Sequence, residues 1–180
     1  MAAIAPPESA KLICGMLCHD AETFVQVSDA LTPRFGPIDI RSETIDFDFT
    51  HYYEKEMGAG LLRQFVAFEN CIDPGTLADI KRFTNELEDR FAQNADVRRP
   101  INLDPGYVVL SRLILASAKN FAHRIYLRDG IYAEVTLLYR NHRWESLEWT
   151  FPDFASRRYD PFFTDARNRL REQQHKERVS

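Results

Sequence analysis

At 180 residues, 44% of them apolar and 28% charged, the chain has the size and composition of one globular domain, and thirteen Phe, seven Tyr and two Trp exclude a disordered middle. A net charge of −4 argues against non-specific nucleic-acid binding, which needs excess Lys and Arg to displace counterions, but leaves room for a local basic site. No window nears the ~20 apolar residues of a membrane span, and the opening MAAIAPPESAK lacks the basic and apolar regions of a signal peptide, so the expected setting is the cytoplasm.

Residues 1–10 are expected to be a flexible arm, 11–163 a single α+β domain, and 164–180 the end of a C-terminal helix with a charged, frayed tail. KLICGMLC is a continuous apolar run suited to a strand buried on both faces. Cys14 and Cys18 lie four residues apart in it, about 13 Å at ~3.3 Å per residue, too far for a disulfide. No C-x-x-C pair accompanies them or Cys71, so all three are expected to be reduced core residues. Asp20 caps a helix with Phe24, Val27, Leu31 and Phe35 on one stripe, stopped by Gly36 and Pro37. IDIRSETIDFDF alternates as a strand, and LLRQFVAFENCI is another. Asp73 and Pro74 open a second helix whose buried stripe is Leu77, Ile80, Leu87 and Phe91. RRPINLDPG is expected as loop, with Asp104, Pro105 and Gly106 as a type II turn, and YVVLSRLILAS as one strand or a helix. Strands at 123–128, 131–139 and 144–150 form a meander, and a last helix starts at Asp160 and Pro161. The sum is a ferredoxin-like β-α-β-β-α-β core with an extended antiparallel meander and a C-terminal helix.

The chemistry concentrates around the dipeptide of Asp129 and Gly130, a strong type I′ hairpin signal. A two-residue turn sets Arg128 opposite Ile131, Tyr126 opposite Ala133, Ile125 opposite Glu134 and Arg124 opposite Val135. His123 then lies opposite Thr136 and diagonal to Glu134, on a face shared with Tyr132 and Trp149. In this reading Lys119, His123 and Arg124 bind an anion, with Tyr107, Tyr132 and Glu148 completing the ligand site. Glu134 orients or deprotonates His123, and Asp104 serves as an acid or base near Lys119. The plainer alternative is a solvated sheet face with charges paired across strands.

The segments FGPIDIRSETIDFDFTHYYEKEMG, NLDPGY and LILASAKNFAHRIYLRDGIYAEVTLLY, followed by LEWTFPDF, resemble a bacterial family known only as a domain of unknown function. The resemblance runs from about Lys11 to Phe163, and some members carry the label "GTP-binding protein". A phosphate-loop GTPase does not follow. None of the seven glycines precedes Lys, as G-x-x-x-x-G-K-[ST] requires, and no N-K-x-D tetrapeptide occurs.

A weaker candidate is an oxygen-rich metal site of Asp48, Glu54, Glu56 and Glu69, with His51 nearby, although its spacing fits no metal template. The strands that would stack RNA bases lack exposed aromatic pairs, and the cysteines lie in apolar runs that blunt thiol reactivity. Three functions stand: a binder or enzyme for a small anionic, phosphorylated or nucleotide ligand; a non-catalytic assembly module, including a homo-oligomer, that associates through a sheet edge or the last helix; and a metal-dependent hydrolase. The sequence implies no particular cofactor.

Overall fold

The computed structural model describes residues 3–50, 54–93, 95 and 98–179, apart from the side chains of residues 54, 55, 177 and 178. Strand β1 (Ala10–Cys18) is buried at every position, as a strand covered on both faces must be. The remaining strands are β2 (Ile38–Arg41), β3 (Ile45–Asp46), β4 (Leu62–Ile72), β5 (Asn102–Val109), β6 (Arg112–Ser117), β7 (Ile125–Arg128), β8 (Ile131–Arg140) and β9 (Arg143–Ser146). They form one sheet in the order β2-β4-β1-β5-β6-β8-β7, with β3 added to β4 and β9 to β8. Every pairing is antiparallel.

Helices α1 (Ala21–Phe35) and α3 (Leu77–Ala92) pack on one face of the sheet, while α4 (Pro152–Ala155) and α5 (Asp160–Val179) pack on the other. A single turn, α2 (Glu54–Met57), follows β3. The Asp20 carboxylate accepts from the Thr23 N–H at 2.8 Å, capping α1, and Phe24, Val27 and Leu31 are buried as the stripe requires. A 3-10 turn at Pro74–Thr76 leads into α3, which buries Leu77, Ile80 and Leu87 and half-buries Phe91. On the opposite face, Phe65 meets Phe154, Tyr159, Phe162 and Phe163 at ring-centroid distances of 4.7–5.8 Å. Such contacts add to the burial of the rings themselves.

Four expectations give way. Asp104, Pro105 and Gly106 are not a turn but the middle of β5, paired with Gly15, Cys14 and Ile13. The strand tolerates Pro105 because the β6 ladder begins only at Gly106, so the missing N–H falls where pairing on that side has ended. Gly106 is there for close approach: a Cβ would lie 2.2 Å from the Ile114 carbonyl oxygen. The run YVVLSRLILAS is two strands, because the chain turns at Leu110 and Ser111; both halves are apolar because both lie inside the sheet.

The run IDIRSETIDFDF breaks between β2 and β3, where the Ser42 hydroxyl accepts from the Phe65 N–H at 2.8 Å in place of a ladder carbonyl. Finally, α5 continues through the stretch expected to fray, burying Ala166, Leu170 and Gln174.

Candidate functional site

Asp129 and Gly130 both have positive φ, 53° and 77°, as a type I′ turn demands. Arg128 faces Ile131 as expected, but a bulge at Leu127 then shifts the register by one, so Tyr126 faces Tyr132 and Ile125 faces Ala133. That shift carries Arg124 to the level of Glu134 instead of Val135.

Strands β7 and β9 lie end to end along one edge of β8, since β6 occupies its other edge from Tyr132 to Leu138. Between them, β8 has no strand partner on that side at 134–136. Side chains close the gap: Trp149 Nε1 donates to the Val135 carbonyl at 2.8 Å and Thr150 Oγ1 to that of Thr136 at 2.7 Å. The expected strand at 144–150 therefore stops at Ser146, and Trp149 sits in a turn.

Glu134, only 3% exposed, points into this break. Its Oε2 accepts from Arg124 Nε at 2.6 Å and lies 3.1 Å from His123 Nε2, while Thr136 Oγ1 donates to Oε1 at 3.4 Å. Arg124 Nη1 donates to the Lys119 carbonyl at 2.9 Å. The His123 ring stacks on Trp149, with centroids 5.2 Å apart and planes 8° from parallel, and Phe121 flanks it at 5.3 Å. A carboxylate at Nε2 selects the tautomer with hydrogen there, which leaves the Nδ1 lone pair to accept a proton.

The remaining candidates divide. Tyr132 shares the Glu134 face and touches Tyr126 edge-on at 5.3 Å. Lys119 and Glu148 are exposed, Lys119 in the loop after β6 and Glu148 in the turn after β9. Tyr107 is on the opposite face with Leu77, Ile114 and Ile131, so it is no wall of this site, and burial raises the pKa of its hydroxyl. Asp104 lies on the Glu134 face, about 12 Å away, two strands and two residues along at ~4.8 Å per strand and ~3.4 Å per residue.

Asp104 belongs to a second cluster, which the sequence reading missed. Its Oδ2 accepts from Arg63 Nη1 at 2.9 Å and Asn102 Nδ2 at 2.8 Å. Arg63 also lies 3.5 Å from Asp153, and the Tyr159 hydroxyl donates to Asp153 at 3.4 Å. Burial alone would raise the Asp104 pKa, but the Arg63 and Lys81 charges and the Arg63 hydrogen bond outweigh it, and the carboxyl ends below its ordinary value. At Asp153 burial prevails over Arg63, and the pKa rises. The signal for this cluster was a lone Arg63 inside the apolar run LLRQFVAF.

The described members of the metal set, Asp48, Glu56 and Glu69, do not come together. Asp48 ion-pairs with Arg158 at 3.0 Å and Glu56 with Arg99 at 3.7 Å. Glu69 lies near the far end of β4, its N–H bonded to the Pro37 carbonyl. His51 and the Glu54 side chain lie outside the described residues, and among the described residues no three His, Cys, Asp or Glu side chains gather as metal ligands. Cys14 and Cys18 are buried as expected, and burial raises both thiols, Cys18 to about 11. Among the described residues no helix is long and apolar enough to cross a membrane.

Fold and site together define a mixed α/β protein with a large antiparallel sheet and a buried carboxylate organising a histidine and an arginine at a break in the sheet edge. The chain belongs to the family described as Domain of unknown function (DUF4416), whose model matches residues 8–170. No curated protein and no solved structure matches it.

Proposed function

We propose that the chain binds a small ligand bearing one anionic oxygen at the break between β7 and β9, and acts on it by acid–base chemistry. The observation behind this reading is the single Glu134 oxygen that takes both His123 Nε2 and Arg124 Nε. Two functional nitrogens are left over. Arg124 uses Nε on Glu134 and Nη1 on the Lys119 carbonyl, which leaves Nη2 to donate to an anionic oxygen of a phosphorylated, carboxylated or nucleotide ligand. His123 Nδ1 is the proton acceptor, and Phe121 and Trp149 hold the ring in place by flanking it. Lys119 at the rim favours an anion's approach, and Tyr132 extends the same face. Asp104, kept ionised by Arg63, is a further polar contact for a ligand long enough to reach it. The same reading takes β1-α1-β2-β4-α3-β5, with strand order β2-β4-β1-β5, as a ferredoxin-like core to which the meander adds the site.

A thermal-shift series with inorganic phosphate, pyrophosphate, acetate and nucleoside monophosphates tests it. A ligand at a hundred times its Kd raises the wild-type Tm by about 5–10 °C. His123→Ala and Arg124→Lys are expected to lose that rise. An undiminished rise in both variants would put the ligand elsewhere, and no rise across the panel would remove the anion from the proposal.

A further inference from the structure

Most of the large apolar side chains left in solvent crowd the outer edge of the sheet. Phe121, Ile125, Tyr126, Leu127, Trp149 and Phe151 are 38–70% exposed, whereas Ile4, Val25 and Val179 are scattered elsewhere. With aromatic side chains of 150–250 Å² each, the six present roughly 600 Å² per molecule. Tyr126 and Ile125 lie on opposite faces, so these side chains ring the edge rather than form one patch, and together they approach the ~800 Å² per partner of a standard stable interface. All four residues of β7 are exposed, and among the described residues its outer backbone edge has no strand partner. An open apolar edge is a template for another strand.

We propose that the occupant is a second copy of this chain, with β7 of each copy antiparallel to the other about a two-fold axis. Full overlap of the two four-residue strands sets Ile125 opposite Arg128 of the second copy and Tyr126 opposite Leu127. Tyr126 and Leu127 then meet as apolar pairs, Ile125 lies against the aliphatic stem of Arg128, and no like charges are opposed. The same register sets Arg124 opposite Asp129 of the second copy. Asp129 is held in its own chain by Arg82 at 3.3 Å and Arg128 at 3.8 Å, exposed pairs that are easily exchanged. Its carboxylate is thus available to Arg124 Nη2, and the contact is made twice. A two-fold contact closes on itself, which explains why so apolar an edge need not extend into fibres. The pairing and the proposed ligand both use Arg124 Nη2, so pairing is measured without added anion.

Sedimentation velocity in a phosphate-free buffer, from about 1 to 200 µM, is the test. The expected result is a shift with concentration from 21.0 kDa to twice that mass. Leu127→Lys with Tyr126→Lys should abolish the shift, Asp129→Asn should raise the dimer Kd at least tenfold while keeping the turn, and Val25→Lys should change nothing. If the double variant misfolds, hydrogen exchange on the wild type decides: β7 amides should slow at least tenfold between the two concentrations. A wild type that stays monomeric, a dimer indifferent to the β7 and Asp129 changes, or protection arising away from β7 would overturn the proposal.

Discussion

Asp104 and Asp153 share one guanidinium, yet burial and charge move them in opposite directions. Asp104 has a folded pKa below its ordinary 3.8, so its stabilising contribution is complete above 3.8 and is lost as pH falls through the folded value. Asp153 lies above 3.8, so it favours folding when protonated, and that gain disappears as pH rises through its folded value. Asp104→Asn is therefore expected to cost about 1–3 kcal/mol at pH 7 and Asp153→Asn distinctly less. Urea midpoints at pH 7 and at about pH 2.5 read both, and the Asp104→Asn deficit should shrink at the lower pH, which lies below the ordinary 3.8. A larger loss for Asp153→Asn at neutral pH would contradict this assignment. At the other cluster, Glu134→Ala strands the nearly buried Arg124 and is expected to cost about 3–5 kcal/mol. Adding Arg124→Met should recover part of that loss, giving a favourable coupling in the double-mutant cycle.

Among the elements, β5 shows why a turn-like tripeptide need not turn. Its fit depends on Gly106 passing beside the Ile114 carbonyl, so Gly106→Ala is expected to cost about 1–3 kcal/mol or more, measured as a lowered urea midpoint with unchanged slope. The sequence marked the cap of α1, the Asp73 turn before α3, the hairpin turn and the buried β1, because each rests on local chemistry: Asp20 on the Thr23 amide three residues on, Asp73 on the Gly75 amide, Gly130 on its own φ. It could not mark the bulge at Leu127, whose effect appears only when β7 meets β8, yet that one residue decides whether Arg124 faces Val135 or Glu134. Spacing did bring His123, Glu134 and Trp149 to one place, since these depend on the turn at Asp129 and Gly130 and on the next one, at Asn141 and His142, which also have positive φ. Arg63 and Asp153, ninety residues apart in sequence, carry no periodic signal linking them.

At the scale of the molecule, α5 holds the sheet together along its length. Phe163, Ala166 and Leu170 are fully buried, Gln173 Nε2 donates to the Glu69 carbonyl at 2.6 Å and Gln174 Nε2 to that of Ser9 at 3.0 Å. Leu170→Ala is expected to destabilise the whole fold by about 2–5 kcal/mol, and a chain ended at residue 163 should lose cooperative unfolding, both visible by circular dichroism on heating. An unchanged melt for Leu170→Ala would mean that the second half of α5 is dispensable. The placement of the two indoles also equips the protein with its own optics. Trp144 lies in the core against Phe163, while Trp149 lies flat on His123 at the sheet edge. A protonated imidazole quenches indole emission by accepting an electron from the excited ring. The red-shifted part of the fluorescence, from Trp149, therefore reports the contact with His123 at the sheet edge, while the blue-shifted part, from Trp144, follows the integrity of the fold.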